Sequence, residues 1–256
     1  MSLIAAPVWR YGRGMRQPSQ EVERFAAVVQ RDEADLELDV AALLIGAWEH
    51  ERFDIEPHRR ALDALAALSA PAVDAAGEPD EAGRALAGRL FAELRFRGNT
   101  DDYYDPRNSF LTEVLARRVG IPITLSVLYL EVARRLGLNA AGVGFPGHFL
   151  VRVDGGTEPL ILDPFGGGAA LDRPGLEALL ARAAGPEVRL ADVSLAPTPK
   201  RAILIRMLNN LAGIYGRDGD TVRSLEVLER LAALDPADAR IAASLERLHR
   251  LVASLN

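Results

Sequence analysis

The sequence predicts an α+β fold that is predominantly helical, with a small sheet set between two helical regions. Three observations carry this. Apolar residues recur at helical spacing through most of residues 20–96 and again through 200–255. Between them, three short apolar runs (Ala141–Phe145, Phe149–Val153 and Leu160–Leu162) are bounded by Gly or Pro in the manner of strands. Of the 256 residues, 49% are apolar but only 6% aromatic, with Ala and Leu abundant, as in a helix-rich globular chain.

Residues 1–18 form an arm in which Trp9, Arg10, Tyr11, Arg13 and Arg16 sit among glycines. A basic, aromatic arm can touch nucleic acid, but a loosely ordered terminus is the simpler reading. A helical N-terminal region is expected over 19–98. Its first helix opens near Gln20, with Val22, Phe25, Ala26 and Val29 on one face. Leu36–Trp48 makes a second helix and Pro57–Leu68 a third, with Leu62, Leu65 and Leu68 as its buried stripe. Residues 69–80 read as a Pro/Gly/Ala loop and Glu81–Phe96 as a fourth helix. His50 and His58 have no neighbours that complete a site, and they read as solvated or helix-end residues.

The central region is expected over 99–185. It opens with a polar loop, 99–108, which fits a groove lining and an acidic connector equally well. Ser109 reads as the N-cap of a helix carrying Phe110, Leu111, Val114 and Leu115, closed by Gly120. Pro122 suits the first turn of the next helix because it has no N–H to lose. That helix runs through Leu125, Leu128, Tyr129 and Val132 to Arg134 and Arg135, with Gly137 just past its end. The strand runs follow, and they hold His148 and Asp163. Gly166–Gly168 reads as a turn rather than an anion cradle, since no helix-opening phosphate fingerprint surrounds it. Pro174–Ala183 is a short helix, and 186–199 a connector. The tail, 200–256, is helical. Leu208, Leu211, Ala212, Tyr215, Leu228 and Pro236 fall at the offsets of one tetratricopeptide unit, although Ser224 and Leu231 stand where small alanines are usual. One unit plus the helix Ala239–Leu251 cannot bury a core alone, so the tail is expected to pack as a cap on the main domain. His249 reads as a surface residue.

Composition narrows the function. A net charge of −6 argues against a broad basic surface for nucleic acid. The chain has no cysteine, which removes disulfides, thiolate metal sites and a cysteine nucleophile together. No apolar run approaches the roughly 18–20 residues needed to span a bilayer. The start lacks the compact apolar segment of a secretory signal, so a cytoplasmic location is expected.

The order of an apolar helix, then Pro146-Gly-His-Phe149, then Asp163-Pro-Phe165 resembles the transglutaminase-like superfamily, a papain-like group. More narrowly, these motifs with Asn108–Ser109, Gly120-Ile-Pro122 and Leu125–Ser126 resemble the SirB-type transglutaminase-like proteins. The resemblance covers roughly residues 20–250, with its specific motifs in 103–168. It implies a papain/transglutaminase-like core, a helical N-terminal region and a tetratricopeptide-like tail. It also implies covalent chemistry, in which a thiolate at a helix N-terminus attacks an amide, His moves the proton and Asp orients the imidazole.

Here the position matching that cysteine falls near Ile121–Ile123, whose side chains cannot attack anything. Thr124 and Ser126 are the nearest hydroxyls. An alcohol is a weaker nucleophile and needs a base in hydrogen-bond reach, and each step along the helix re-aims the side chain by about 100°. A small residue bonded to the carbonyl four residues back is the simpler account of Ser126. His148 and Asp163 are expected to face each other across adjacent antiparallel strands, the Asp holding one imidazole tautomer. With no third ligand at motif-like spacing, neither metal nor cofactor is expected.

The leading reading is therefore a SirB-type protein without a nucleophile, binding a protein or peptide, or regulating one, through the old cleft. In it His148 and Asp163 persist as a remnant pair, and Tyr104, Asn108, Pro122, Gly147 and Phe149 line the cleft. A competing reading is an amidase, peptidase or acyltransferase in which Ser126 or Thr124 works with His148 and Asp163. In a third, the tail is a peptide-binding module. Neither nucleic acid nor membrane is expected as a partner.

Overall fold

A computed structural model describes residues 19–50 and 52–254, so the arm expected over 1–18 lies outside the described residues. The helices are α1 (Gln20–Val29), α2 (Leu38–Leu44), α3 (Glu56–Asp74), α4 (Pro79–Ala87), α5 (Leu111–Arg117), α6 (Pro122–Arg135), α7 (Arg173–Ala184), α8 (Lys200–Asp218), α9 (Thr221–Leu234) and α10 (Ala239–Ser254). The strands are β1 (Arg97–Gly98), β2 (Val119–Gly120), β3 (Ala140–Phe145), β4 (His148–Val153), β5 (Leu160–Asp163) and β6 (Ala169–Ala170). The class is α+β and mainly helical. Two compact units divide the chain, one built from the residues up to Ile55 with those from Lys200 onward, the other from Glu56–Pro199. The helical region expected over 19–98 thus falls in both units, α1 and α2 in the first, α3 and α4 in the second.

In the first unit, the Ser19 side chain accepts the Val22 N–H at 3.3 Å and starts α1, which buries Val22, Phe25 and Val29. The helix expected over Leu36–Trp48 is shorter than its periodicity suggests. It ends at Leu44, and past Gly46 the chain makes only a 3₁₀ turn, Ala47–Glu49. Asp220 caps α9 by accepting the Arg223 N–H at 2.9 Å. α9 packs against α1, α8 and α10, and α2 against α8, so the tail helices cover their apolar faces with α1 and α2. Arg230 on α9 is wholly buried, its guanidinium 4.4 Å above the Trp48 ring and its Nη1 bonded to Glu226 at 2.9 Å. His249, expected at the surface, is buried with Nε2 3.7 Å from Glu229. It sits on the side of α10 that packs on α9.

The second unit is centred on α6, whose residues Pro122–Ala133 are all buried. Its one carboxylate there, Glu131, is held by Arg134 at 2.9 Å and Arg135 at 3.0 Å, as a buried charge requires. One side of α6 packs on β3 and β4, the other on α3 and α4. The Tyr129 hydroxyl donates to the Gly83 carbonyl of α4 at 2.9 Å. The sheet is antiparallel in the order β3-β4-β5-β6. Its second face presents Val143, Phe145, Leu150 and Ile161 to Leu176, Leu179 and Leu180 of α7. The connector fastens the outer edge of β3: Thr198 donates its N–H to Gly142 at 2.7 Å, and its Oγ1 accepts the Gly144 N–H at 2.8 Å.

Three local expectations change. α3 continues through Pro71 to Asp74, and its stripe is Leu62, Ala66, Ser69 and Val73, while Leu68 is 50% exposed. Steps of four, three and four residues hold one face at 100° per residue, whereas two steps of three drift off it. The fourth helix opens at Pro79, two residues early, and finishes as a π-helical turn, Gly88–Glu93. α5 takes Phe110 as its N-cap, because Ser109 ends a preceding 3₁₀ turn, Pro106–Ser109. Arg118 closes α5 in the left-handed region (φ 60°), which frees Gly120 to pair with Gly98 in the parallel β1–β2 bridge.

Candidate functional site

His148 begins β4 and Asp163 ends β5. The register sets Val151 opposite Leu162, so its continuation places Asp163 level with Leu150, diagonal to His148 and within reach of its ring. His148 Nε2 lies 2.8 Å from Asp163 Oδ1, and the two residues are only 9% and 8% exposed. An ionised carboxylate can only accept, so in this contact Nε2 is the donor. The same Oδ1 accepts the Phe165 N–H at 3.1 Å, and the Asp163 carbonyl accepts the Gly168 N–H at 2.8 Å. The Asp-Pro-Phe-Gly turn therefore folds back onto its own carboxylate. A Cβ at Gly166 would lie 2.7 Å from Asp163 Oδ2. Only glycine leaves the carboxylate where it is.

The start of α6 is apolar. Ile121 is its N-cap, Pro122 its first residue, and Ile121 and Ile123 are 3% and 2% exposed. Ser126 donates to the Pro122 carbonyl at 2.8 Å and lies 3.4 Å from the Phe149 carbonyl. Thr124 is fully buried and its Oγ1 has no hydrogen-bond partner, His148 included. Neither hydroxyl is paired with the imidazole in the manner of a nucleophile and its base.

The loop 99–108 is tied at its base by two buried asparagines. Asn99 Nδ2 donates to Asn108 Oδ1 at 3.1 Å, and Asn108 Nδ2 donates to the Asp102 carbonyl at 2.8 Å. Asn99 Oδ1 accepts the Asp102 N–H at 3.0 Å. Burial alone would raise the Asp105 carboxyl, but hydrogen bonds and charge from Arg107, with the charge of Arg117, outweigh it and hold the group below its ordinary range. From this base the rings of Tyr104, Tyr103, Phe165 and His148 run edge to face, with successive centroids 5.3, 6.0 and 5.8 Å apart. Phe165 rests over Gly98, where a Cβ would come within 2.7 Å of its ring.

Among the five residues expected along a cleft, Tyr104 is exposed and Gly147 lies in the exposed turn between β3 and β4 with φ 61°. Asn108 is wholly buried and serves as the loop's anchor. Pro122 is buried in α6, and Phe149 is 0% exposed on the opposite face of β4 from His148. Among the described residues, no three His, Asp or Glu side chains are placed to hold a metal ion, and no helix is long and apolar enough to cross a membrane.

The family model described as the transglutaminase-like superfamily matches residues 56–209. The chain belongs to the transglutaminase-like superfamily. A UPF0162 protein of Pseudomonas aeruginosa is 32% identical over 199 residues, 78% of this chain and 72% of that protein. A UPF0162 protein of Xylella fastidiosa is 45% identical over 151 residues, 57% of this chain and 53% of its own length. This chain therefore spans about half the length of that relative. Mouse F-box only protein 21 is 38% identical over 138 residues, 51% of this chain but 21% of the mouse protein. No solved structure matches.

Within this transglutaminase-like chain, sequence reasoning singled out His148 and Asp163 but missed Asn99, Tyr103, Phe165, Gly98 and Gly166. Phe165 and Gly166 directly follow Asp163 and Pro164, so the signal was present in the motif. Gly98 carried no signal, because its role is to make room for a ring 67 positions away in the chain.

Proposed function

We propose that this is a SirB-type member of the superfamily whose cleft binds, or regulates through binding, a protein or peptide partner in the cytoplasm without acyl transfer. In this reading His148 and Asp163 are a retained pair, and the tail is a tetratricopeptide-like cap. The observation that carries it is the start of α6. Its first three positions offer Ile121, Pro122 and Ile123, the Ser126 proton is committed to the Pro122 carbonyl, and Thr124 Oγ1 has no partner. Attack by an alcohol needs a base to take its proton, and neither hydroxyl has one. The occurrence of a related segment as about a fifth of mouse F-box only protein 21 fits a module that serves within larger chains.

A fluorophosphonate probe tests the reading. Wild type and His148→Ala should be labelled equally little. Labelling of wild type at Ser126 or Thr124 that disappears in His148→Ala would instead establish the acyltransfer reading, in which Ser126 or Thr124 works with His148 and Asp163. The 2.8 Å His148–Asp163 contact is what keeps that alternative in play, since a carboxylate that orients an imidazole is the pairing such chemistry uses.

A further inference from the structure

Arg95 and Arg118 are the two non-glycine residues, among those described, whose backbone lies in the left-handed region, with φ 62° and 60°. Each closes a helical segment: Arg118 caps α5, and Arg95 follows the Leu94 cap of the π-helical turn Gly88–Glu93. Glycine fills such a position without strain, whereas a larger residue there carries a cost that persists only where something else favours it. A cation near a helix C-terminus answers the backbone dipole, but α5 already has Arg117 in its last turn for that. Both strained positions flank one contact. β1 and β2 meet as a parallel bridge, with Arg97 opposite Val119 and the Arg97 N–H donated to the Arg118 carbonyl at 2.9 Å. The bridge thereby gathers Arg95, Arg97 and Arg118 from two segments, and all three are exposed.

No carboxylate answers them. None of the three makes an ion pair, and the acid nearest Arg95 in sequence, Glu93, is taken by Arg89. Other arginines of the same unit are matched, as at Arg107–Asp105, Arg152–Asp154 and Arg173–Glu177. In a chain of net charge −6, three unmatched guanidiniums at one bridge are a local excess of positive charge. One of them is positioned in advance. Arg118 Nη1 donates to the Leu94 carbonyl at 2.9 Å, and its guanidinium lies 5.9 Å from the Phe96 ring centroid, which leaves its other donors uncommitted. A single carboxylate needs only one guanidinium fork. A phosphate monoester brings about two negative charges and three acceptor oxygens, enough to engage all three arginines. A nucleic acid would need matching charges spread along several phosphates, on a chain that is otherwise acidic.

We propose that Arg95, Arg97 and Arg118 form a phosphate-binding site for a phosphorylated side chain of the protein or peptide partner. The proposal rests on the binding reading and names the mark that this partner carries. Arg97 directly precedes Gly98, over which Phe165 rests, so a segment anchored here by its phosphate lies beside the row of rings that ends at His148.

The test is fluorescence anisotropy on the whole chain with rhodamine-labelled Gly-Ala-phosphoserine-Ala-Gly, its serine and glutamate counterparts, and a short single-stranded DNA. The phosphoserine peptide should bind most tightly, and less so at high salt. Arg97→Gln and Arg118→Lys should each weaken it about two- to fivefold, the second because lysine keeps the charge but lacks the planar fork. Arg95→Asn should weaken it similarly while melting no lower than wild type, since asparagine suits the left-handed region. Unlabelled phosphopeptide should displace the label at lower concentration than inorganic phosphate does. Equal displacement would make this a site for free phosphate and overturn the partner assignment. Absence of phosphopeptide binding, equal or tighter binding of the glutamate peptide or the DNA, or unchanged affinity in all three variants would overturn the site. Probe labelling at Ser126 or Thr124 with phosphopeptide bound as expected would end the non-catalytic reading and keep the arginine site. No labelling and no phosphopeptide binding would end the arginine site and keep that reading.

Discussion

At the scale of single residues, the site depends on two places where a side chain has been omitted. Gly166 lets Asp163 approach its own turn, and Gly98 makes room for the Phe165 ring, which meets Tyr103 edge to face. Gly166→Ala would push the carboxylate off His148 Nε2, since the new methyl falls on Oδ2. We expect a loss of about 1–3 kcal/mol in urea denaturation from this overpacking. A second readout separates site geometry from simple destabilisation. Long-range nitrogen–proton NMR of His148 should show one Nε2-protonated tautomer in wild type and a mixture in Gly166→Ala. A single unchanged tautomer would mean that the turn does not position Asp163. His148 and Asp163 themselves were legible in the sequence, because Pro-Gly before one and Pro after the other mark strand ends. The glycines were not legible as site residues, because a small residue gives no sign of what fills the space it leaves.

At the scale of elements, α6 organises the second unit because it is apolar on every side and must be covered on every side. Covering it on the α4 side closes one specific contact, the Tyr129 hydroxyl on the Gly83 carbonyl at 2.9 Å. Burial raises the Tyr129 pKa well above the ordinary phenol value, so the group stays a neutral donor. Tyr129→Phe should cost about 0.5–1.5 kcal/mol, since it deletes one buried hydrogen bond to a carbonyl that keeps its place in the helical ladder of α4. An unchanged denaturation midpoint would show that water reaches Gly83. The sequence placed α6, α7 and the three main strands within a residue or two, since caps, prolines and alternation are local signals. It misjudged α3 and the helix after Leu36. Whether a helix continues through Pro71 or stops at Leu44 depends on what packs against it.

At the scale of the whole molecule, the first unit joins α1 and α2 to α8, α9 and α10, although residues 56–199 separate them in the sequence. The second unit has both faces of its sheet covered from within, by α6 on one side and by α7 with the connector on the other. A fragment of residues 56–199 should therefore fold alone and unfold cooperatively in urea. Residues 1–55 alone should lack stable helix by circular dichroism, because α1 and α2 lose the tail helices that bury them. Cooperative folding of 1–55 by itself would contradict this account. By itself, the sequence determined the helical α+β class, the absence of a cysteine nucleophile, the three main strands and the two residues that meet as His148–Asp163. Each of these follows from residue identity or short-range periodicity. Only the tertiary structure decided that the tail packs on the first two helices, that His249 and Asn108 are buried, and that four rings line up from Tyr104 to His148. Those outcomes come from contacts between residues far apart in the chain, and no local pattern records them.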